Sequence, residues 1–198
     1  MFSFQKCQNK DCLKAAVSDS SFCFDHLDKK AEYINRVVSA FNGDSAFKNQ
    51  NLAYVKLSDL DLSQKKFHVC NFSHASFTNV DFSETKFRLC FFDFAYFKNC
   101  RFTKTDMKYS VFAGASLAKC NFTGSDLLHC NFNGSNAAGG VFDESDLYFS
   151  CFINSDLQSA SFEDCNLKKV DFSWSKQDNV NFKYSNYEEA VFDEGSER

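Results

Sequence analysis

A large apolar residue recurs at every fifth position from Phe47 to Phe192. Of the 30 positions in this series, only those held by Ala137 and Gln177 are not large and apolar. A period of five matches neither the helical period of 3.6 nor the strand period of 2. The chain must therefore turn once per repeat and direct each large residue, here called the centre, toward one shared interior.

The centres that lie four repeats apart predict how many repeats make one coil. The residue two places before each centre is usually small, and this second inward position repeats with the same phase. Coils of four repeats place Phe above Phe, whereas coils of three would mix Phe with Leu. The sequence therefore predicts a four-sided solenoid in which one repeat forms each side of a coil. Two sets of centres show this stacking: Leu52, Phe72, Phe92, Phe112, Phe132, Phe152, Phe172, Phe192, and Leu62, Phe82, Phe102, Phe122, Phe142, Phe162, Phe182.

The repeat unit resembles that of the pentapeptide-repeat family: a small residue, then Asp or Asn, then Leu or Phe, then two variable residues. Ser125-Asp126-Leu127, Cys130-Asn131-Phe132 and Ser145-Asp146-Leu147 carry the resemblance. It implies an all-β fold, a right-handed quadrilateral parallel β-helix, with the small residue and the centre inside and the other three positions in solvent. Some members of the family mimic duplex DNA, bind type II topoisomerases such as DNA gyrase, and are associated with quinolone resistance.

The N-terminal segment contains a clustered set of metal-ligand residue types, namely Cys7, Cys12, Cys23 and His26. Three thiolates and one imidazole complete a tetrahedral zinc site, and a closed set of four ligands is typical of structural zinc. The alternative is that these are free thiols in a small cap. Because so short a segment has little core of its own, a metal ion would be what folds it.

Residues 27–42 have the apolar spacing of an amphipathic helix. Asp25 is the predicted N-cap, and Gly43 lies where a C-terminal cap belongs. We expect this helix to cover the first coil, which would otherwise expose apolar edges and open backbone groups. The predicted organisation is a small helical cap with the zinc-type ligand set over 1–44, a β-helix over 45–192 and a tail over 193–198.

Composition favours a protein of the cytoplasm. No apolar run approaches the roughly 18 residues that a membrane-spanning helix requires, and the N-terminus lacks the apolar segment of a signal peptide. Six of the 10 cysteines occupy the small inward position. Stacked cysteines could in principle form disulfides, but reduced thiols are expected in that compartment. Those six are Cys70, Cys90, Cys100, Cys120, Cys130 and Cys165.

No catalytic constellation is present, because His68, His74 and His129 are isolated at outward positions, so we expect no enzyme. Residues 45–119 carry 11 Lys and Arg against 6 Asp and Glu, whereas residues 141–198 carry 5 against 13. The formal net charge of the whole chain is −4. Direct nucleic-acid binding is not expected of so acidic a protein, since duplex affinity depends on basic groups.

Two sets of outward side chains are candidate sites for a protein partner. The first is apolar and comprises Phe91, Phe94, Tyr96, Tyr109 and Phe149. The second is acidic and comprises Asp143, Glu144, Glu163 and Asp164. Aromatic ladders also stabilise β-stacks, and an acidic face can be merely solvated. The functional hypotheses are a non-enzymatic protein-interaction module, a DNA-mimicking binder of DNA gyrase, and a secreted bacterial effector.

The C-terminal end of the repeat region has no helix after it to cover the last coil. Uncovered strand edges and apolar surface favour association. We therefore expect a homodimer formed through this end, with Tyr187, Val191 and Phe192 as the contact residues.

Overall fold

The computed structural model describes residues 5–193. A 3₁₀ turn at Phe24–His26 precedes the helix α1, Lys30–Gly43, and a second 3₁₀ turn at Tyr187–Glu189 lies near the end. Six short strands follow α1 and form two parallel sheets, ordered β1-β3-β5 and β2-β4-β6. The strands are β1 Ala46–Lys48, β2 Lys56–Asp61, β3 Lys66–His68, β4 Ser76–Asp81, β5 Lys86–Arg88 and β6 Tyr96–Lys98.

The strand register confirms that four repeats make one coil. Phe47 pairs with Phe67, and Phe67 pairs with Phe87, in parallel register. After β6 the same spacing continues through single parallel bridges, as far as the pair Asp171–Val191. We number the sides of the solenoid by their centres: side 1 begins with Phe47, side 2 with Leu52, side 3 with Leu57 and side 4 with Leu62. The right-handed sense that the family resemblance implies stays a prediction.

The core consists of stacked phenylalanine rings. On side 4, Phe102 and Phe122 stack with their centroids 4.7 Å apart and their planes 2° apart. Rings on sides 2 and 4 meet edge to face across the interior, as Phe142 and Phe152 do at 5.5 Å and 87°. Offset-stacked and edge-to-face pairs are the arrangements that aromatic quadrupoles favour. The predicted stacking of Phe on Phe within each side is therefore what packs this core.

The small inward position has a hydrogen-bonding role in addition to its small volume. Buried hydroxyls and thiols at this position donate to the carbonyl oxygen of a centre in the preceding coil. Ser125 Oγ donates to Phe102 O at 2.7 Å, and Cys90 Sγ donates to Phe67 O at 3.5 Å. An unsatisfied buried carbonyl is costly. Ser, Thr and Cys at this position therefore stabilise the neighbouring turn, which Ala cannot do.

Each repeat turns at the second residue after its centre. That residue has positive φ in every repeat from Asn49 to Tyr184, including 4 glycines and even the β-branched Val69. The Asp or Asn before the centre supports the same turn, since its side chain accepts a backbone N–H two residues later, as Asn121 does from Thr123 at 2.8 Å. The family preference for Asp or Asn thus follows from turn chemistry.

The helix α1 covers the first coil, as predicted. Phe41 is 1% exposed, and its ring meets those of Phe47 and Phe67 edge to face at 5.0 and 5.8 Å. The predicted N-cap was wrong, because Asp25 lies in the preceding 3₁₀ turn and Lys29 occupies the N-cap position without a side-chain bond. Gly43 is the last helical residue and does not follow the helix. In the part of the chain from 5 to 193, no helix is long and apolar enough to cross a membrane.

The two irregular centres do not interrupt the coil. Ala137 is fully buried, and its N–H donates to Asp156 O at 2.8 Å in the regular pattern. Gln177 is half-buried, and its amide donates to Ser175 Oγ at 2.8 Å. The backbone ladder around Ala137 therefore keeps its hydrogen bonds whatever the size of the centre.

Candidate metal centre and interaction surfaces

The fold brings the four predicted metal ligands into one cluster. The thiols of Cys7, Cys12 and Cys23 and the imidazole of His26 place their ligand atoms within 4.8 Å of one another. Cys7 and Cys23 are buried, whereas Cys12 and His26 are half-buried. Local backbone bonds hold this arrangement: Cys7 N–H donates to Lys14 O at 3.0 Å, and His26 N–H donates to Cys23 O at 3.0 Å.

The separations within the cluster fit tetrahedral coordination. Zn–S bonds of about 2.3 Å and Zn–N bonds of about 2.1 Å place two sulfurs about 3.8 Å apart, and sulfur and nitrogen about 3.6 Å apart. The Sγ atoms of Cys12 and Cys23 are 3.8 Å apart. His26 Nδ1 lies 3.6 Å from Cys7 Sγ and 3.3 Å from Cys23 Sγ. The cluster could therefore hold a metal ion at its centre.

The environment shifts the pKa values of two thiols in opposite directions. Burial raises the pKa of Cys7, but hydrogen bonds from the backbone of Cys23 and Asn9 and from the side chains of His26 and Cys23 together outweigh it and lower the pKa to about 6. Burial raises the pKa of the Cys23 thiol above its ordinary value. A thiolate at Cys7 near neutral pH is the form that ligates a metal ion.

Polar contacts join the cluster to the first coil. Asn51 is 1% exposed, and its side-chain nitrogen donates to Ala16 O at 2.6 Å. Its backbone N–H donates to Ser18 Oγ at 2.7 Å, and its carbonyl accepts the Ser18 N–H at 2.9 Å. Lys14 forms an ion pair with Asp25 and lies 3.8 Å from the centre of the Tyr54 ring. These contacts attach the N-terminal segment that carries the cluster to side 2 of the solenoid.

The apolar candidate residues flank side 2. Tyr54, His74 and Phe94 stack along one edge at 4.7 and 5.2 Å. Tyr109, His129 and Phe149 stack along the other edge at 5.0 and 5.3 Å. The predicted aromatic ladders are thus present.

Several of the rings in and beside these ladders remain exposed to solvent. Phe94 is 61% exposed and Tyr109 is 53% exposed. Tyr96 and Phe149 are also exposed, and Phe91 is half-buried between the edges. Among the outward residues of side 2 from 91 to 154, only Asp93 is charged. We call Phe91, Phe94, Tyr96, Tyr109 and Phe149 the aromatic surface.

The exposed ring of Phe94 packs against Gly114, where no other residue would leave room for it. A Cβ atom built on Gly114, which has a φ of +65°, would lie 2.5 Å from Cε1 of the Phe94 ring. The ring therefore lies directly over the glycine of the next coil. Glycine at this turn both tolerates the backbone conformation and makes room for the exposed ring.

The four acidic candidates lie together on side 4. Glu163 N–H donates to Asp143 Oδ1 at 2.9 Å, and Glu163 Oε2 accepts from Asn181 Nδ2 at 3.0 Å. Glu144 and Asp164 are exposed at consecutive turns. Part of this acidic group therefore takes part in the side-chain ladder, and the outer two carboxylates face solvent.

Within residues 5–193, the last coil exposes several large apolar side chains. Tyr187 is 43% exposed and Val191 is 50% exposed, and Trp174 and Tyr184 nearby are 72% and 73% exposed. Phe192 is half-buried and stacks on Phe172 at 5.2 Å. The predicted contact residues at this end are exposed or half-buried.

Eight copies of a family model, described as pentapeptide repeats, match residues 70–93, 92–134, 125–164 and 145–183. These matches together cover more than half of the chain. The chain belongs to the pentapeptide-repeat family. No curated protein sequence matches it. Family membership confirms the resemblance that the repeat motifs carry, and pentapeptide-repeat proteins are generally structural or interaction modules.

Solved pentapeptide-repeat structures resemble the chain at low identity. QnrB1, a plasmid-mediated fluoroquinolone resistance protein, is 20% identical with a TM-score of 0.49, over 75% of this chain and 84% of its own. Rfr23 from the cyanobacterium Cyanothece 51142 is 11% identical with a TM-score of 0.46, over 81% and 99%. HetL from the cyanobacterium Nostoc sp. strain PCC 7120 is 14% identical with a TM-score of 0.33, over 83% and 98%. At these identities and TM-scores, the similarity does not indicate a function for this chain.

Two features of this pentapeptide-repeat protein escaped the sequence analysis. Asn51 occupies the ordinary Asp or Asn position of its repeat, so nothing in the sequence distinguishes it from Asn71 or Asn131. A group of cations on side 1, formed by Lys48, Lys66, Lys86 and Arg88, also went unnoticed. Residues 45–119 contain 11 basic and 6 acidic residues, and this surplus of positive charge was the signal that could have indicated the group.

Proposed function

We propose that this pentapeptide-repeat protein is a non-enzymatic interaction module that binds a protein partner through the aromatic surface. The observation that supports the proposal is the exposure of Phe94 and Tyr109 on the two edges of a nearly uncharged side. Exposed aromatic residues around such a surface are characteristic of protein interfaces. Although these rings stack on their neighbours, Phe94 and Tyr109 remain more than half exposed and are available for contact.

Site-specific photo-crosslinking tests this proposal. A photoreactive phenylalanine analogue at Phe94 or at Tyr109 should crosslink to one and the same protein in cells. Lys104, an exposed turn residue on side 4, is the matched control position and should not capture that protein. The Phe94→Ser variant should keep its thermal stability and lose the partner. Crosslinks to unrelated proteins at the two positions would contradict the proposal.

We also propose that the Cys7, Cys12, Cys23 and His26 cluster holds one structural zinc ion. The tetrahedral separations and the closed set of four ligands support this assignment. Elemental analysis of protein purified without chelator should find about one zinc per chain. Cys12→Ser should lose the metal and lower the melting temperature, whereas Cys151→Ser, also at a half-buried thiol, should change neither. Absence of zinc from the wild-type protein would exclude the assignment.

A second candidate function is DNA mimicry toward DNA gyrase, which the acidic group on side 4 favours. The basic first half of the chain opposes it, since a duplex is negative throughout its length. Titration of the protein into a gyrase supercoiling reaction, with and without a quinolone, separates the two functions. Inhibition or quinolone protection that is lost in Glu144→Lys/Asp164→Lys would support mimicry. No effect at micromolar protein would exclude it.

We further propose that two copies associate through the open C-terminal coil, with Tyr187, Val191 and Phe192 at the contact. The exposed apolar side chains there support this proposal, because uncovered edges of β-structure favour pairing with another chain. All 10 cysteines are free thiols in the structure, which agrees with a cytoplasmic location as a further part of the proposal.

A further inference from the structure

A basic groove lies on side 1 of the first three coils. Its volume is about 260 Å³, and Lys48, Lys66, Lys86 and Arg88 line it together with His68 and the edges of two core rings. Lys48, Lys66 and Lys86 are exposed, and Arg88 is half-buried. The floor is apolar and the rim is cationic. This combination is suited to an anionic ligand that loses part of its water on binding.

The parallel register places these cations close together, and their mutual repulsion destabilises the fold. Lys66 pairs directly with Lys86 in the parallel register, and Lys48, His68 and Arg88 occupy one column. Parallel strands lie about 4.8 Å apart, and like charges placed directly opposite each other are destabilising. Within residues 5–193, Lys48, Lys66 and Lys86 take part in none of the ion pairs, and only Arg88 is paired, with Asp106 at 2.6 Å.

The later coils of the same side show how such charges are balanced elsewhere in this protein. The column that holds Lys66 and Lys86 continues with Asp106, Asp126 and Asp146. There Lys108 forms an ion pair with Asp126. Side 1 therefore places carboxylates beside its cations from the fourth coil onward, whereas in the first three coils only Arg88 has an ion-pair partner.

The chain's own acidic group cannot neutralise the groove. Asp143 and Glu163 lie on side 4 in the fifth and sixth coils, at least two coils beyond Lys86 and Arg88, which is about 10 Å along the axis at ~4.8 Å per coil. This separation exceeds the Debye length of about 8 Å at physiological ionic strength. Lys48, Lys66 and Lys86, which take part in none of the ion pairs of residues 5–193, are therefore available to counter-charge from another molecule.

We propose that this groove binds an oligophosphate, meaning a ligand that carries two or more adjacent phosphate groups. Lys ammonium groups are common phosphate ligands, and several of them converge here on one small space. The groove spans only three coils, about 10 Å, so it fits a small ligand better than a duplex or a folded protein. An extended acidic peptide matches it poorly, because its side chains on one face repeat every ~6.6 Å or more, against ~4.8 Å for the coils.

Calorimetric titration of sodium tripolyphosphate into the full chain tests the proposal. The wild type should bind, and Lys66→Gln/Lys86→Gln should bind at least tenfold more weakly. The control is Lys56→Gln/Lys98→Gln, two exposed lysines of side 3 that lie directly before and directly after a centre; its binding should equal that of the wild type. An equal loss of tripolyphosphate affinity in both double variants would overturn the proposal. So would a wild-type protein that binds neither tripolyphosphate nor vesicles that contain a phosphatidylinositol bisphosphate.

Two further measurements complete the test. Flotation with vesicles that contain a phosphatidylinositol bisphosphate, compared with phosphatidylserine vesicles of equal charge, distinguishes a lipid headgroup from a free oligophosphate as the source. Selective capture by the bisphosphate vesicles supports the headgroup. Thermal unfolding of Lys66→Gln/Lys86→Gln without ligand should occur at or above the wild-type temperature, because like charges have been removed. A lower temperature would contradict the charge argument.

Discussion

The two ends of the solenoid differ in what covers the outermost coil. At the N-terminal end, α1 packs Phe41 onto the rings of Phe47 and Phe67, and Phe41 is 1% exposed. At the C-terminal end, Trp174 and Tyr184 are 72% and 73% exposed. Every centre from Phe47 to Phe172 is buried, whereas Gln177 and Phe182 are only half-buried.

The difference shows that a coil needs a neighbour on each side to bury its centres. A repeat contacts only the repeats next to it, so a terminal coil requires a special cover. At the first coil the cover comes from the same chain, through α1 and the segment that Asn51 fastens. Within residues 5–193 the last coil has no such cover, and we propose that a second copy provides it.

The largest expected effect comes from removing the ring that covers the first coil. Phe41→Ala should lower the free energy of unfolding by about 3–5 kcal/mol, because it removes a fully buried ring and leaves a cavity. Phe192→Ala at the other end should cost the monomer only about 1–2 kcal/mol, since that ring is half-buried. Urea denaturation of both variants measures the difference. Equal losses would show that the two ends are covered alike.

An intermediate effect is expected at the joint between the cap and the coil. Asn51→Ala should cost about 2 kcal/mol, because Ala16 O loses a buried partner and the contact with the cap is weakened. Asn131→Ala is the matched control at the same repeat position, where the side chain supports only its local turn. It should cost about 0.5–1 kcal/mol. A larger loss for Asn131→Ala in the same denaturation experiment would contradict this assignment.

The smallest effect is a pH dependence at the C-terminal end. The hydrogen bond from Lys168 lowers the pKa of Glu189 below its ordinary value of 4.5. The ion pair between Lys168 and Glu189 therefore stabilises the folded state fully above the ordinary pKa of Glu189. This stabilisation is lost as the pH falls through the lowered pKa that Glu189 has in the folded state. Glu189→Gln should remove this part of the acid dependence, while Glu188→Gln should leave it intact. Thermal melts between pH 3 and pH 6 compare the two variants.

Much of the fold could be predicted because one rule repeats. The five-residue spacing and the stacking of Phe72, Phe92 and Phe112 required four repeats per coil, and the register confirms this. The candidate metal cluster was also predictable, since Cys7, Cys12, Cys23 and His26 supply a full ligand set within a short segment.

The features that could not be predicted depend on contacts that form only when the chain is folded. Val69 at positive φ contradicts its local preference, and only the closed coil imposes it. Asn51 matters because the cap folds back onto it, 35 residues from its acceptor on Ala16. Lys48, Lys66 and Lys86 form one groove only after the coils stack. A pattern along the chain reveals none of these contacts.

Sedimentation velocity tests most directly whether the two ends are covered in different ways. The wild-type chain at micromolar concentration should sediment as a dimer. Val191→Lys should sediment as a monomer, and Val111→Lys, at the same repeat position in the middle of side 2, should remain a dimer. A wild-type protein that stays monomeric throughout the micromolar range, or a dimer that Val191→Lys leaves unchanged, would contradict the account.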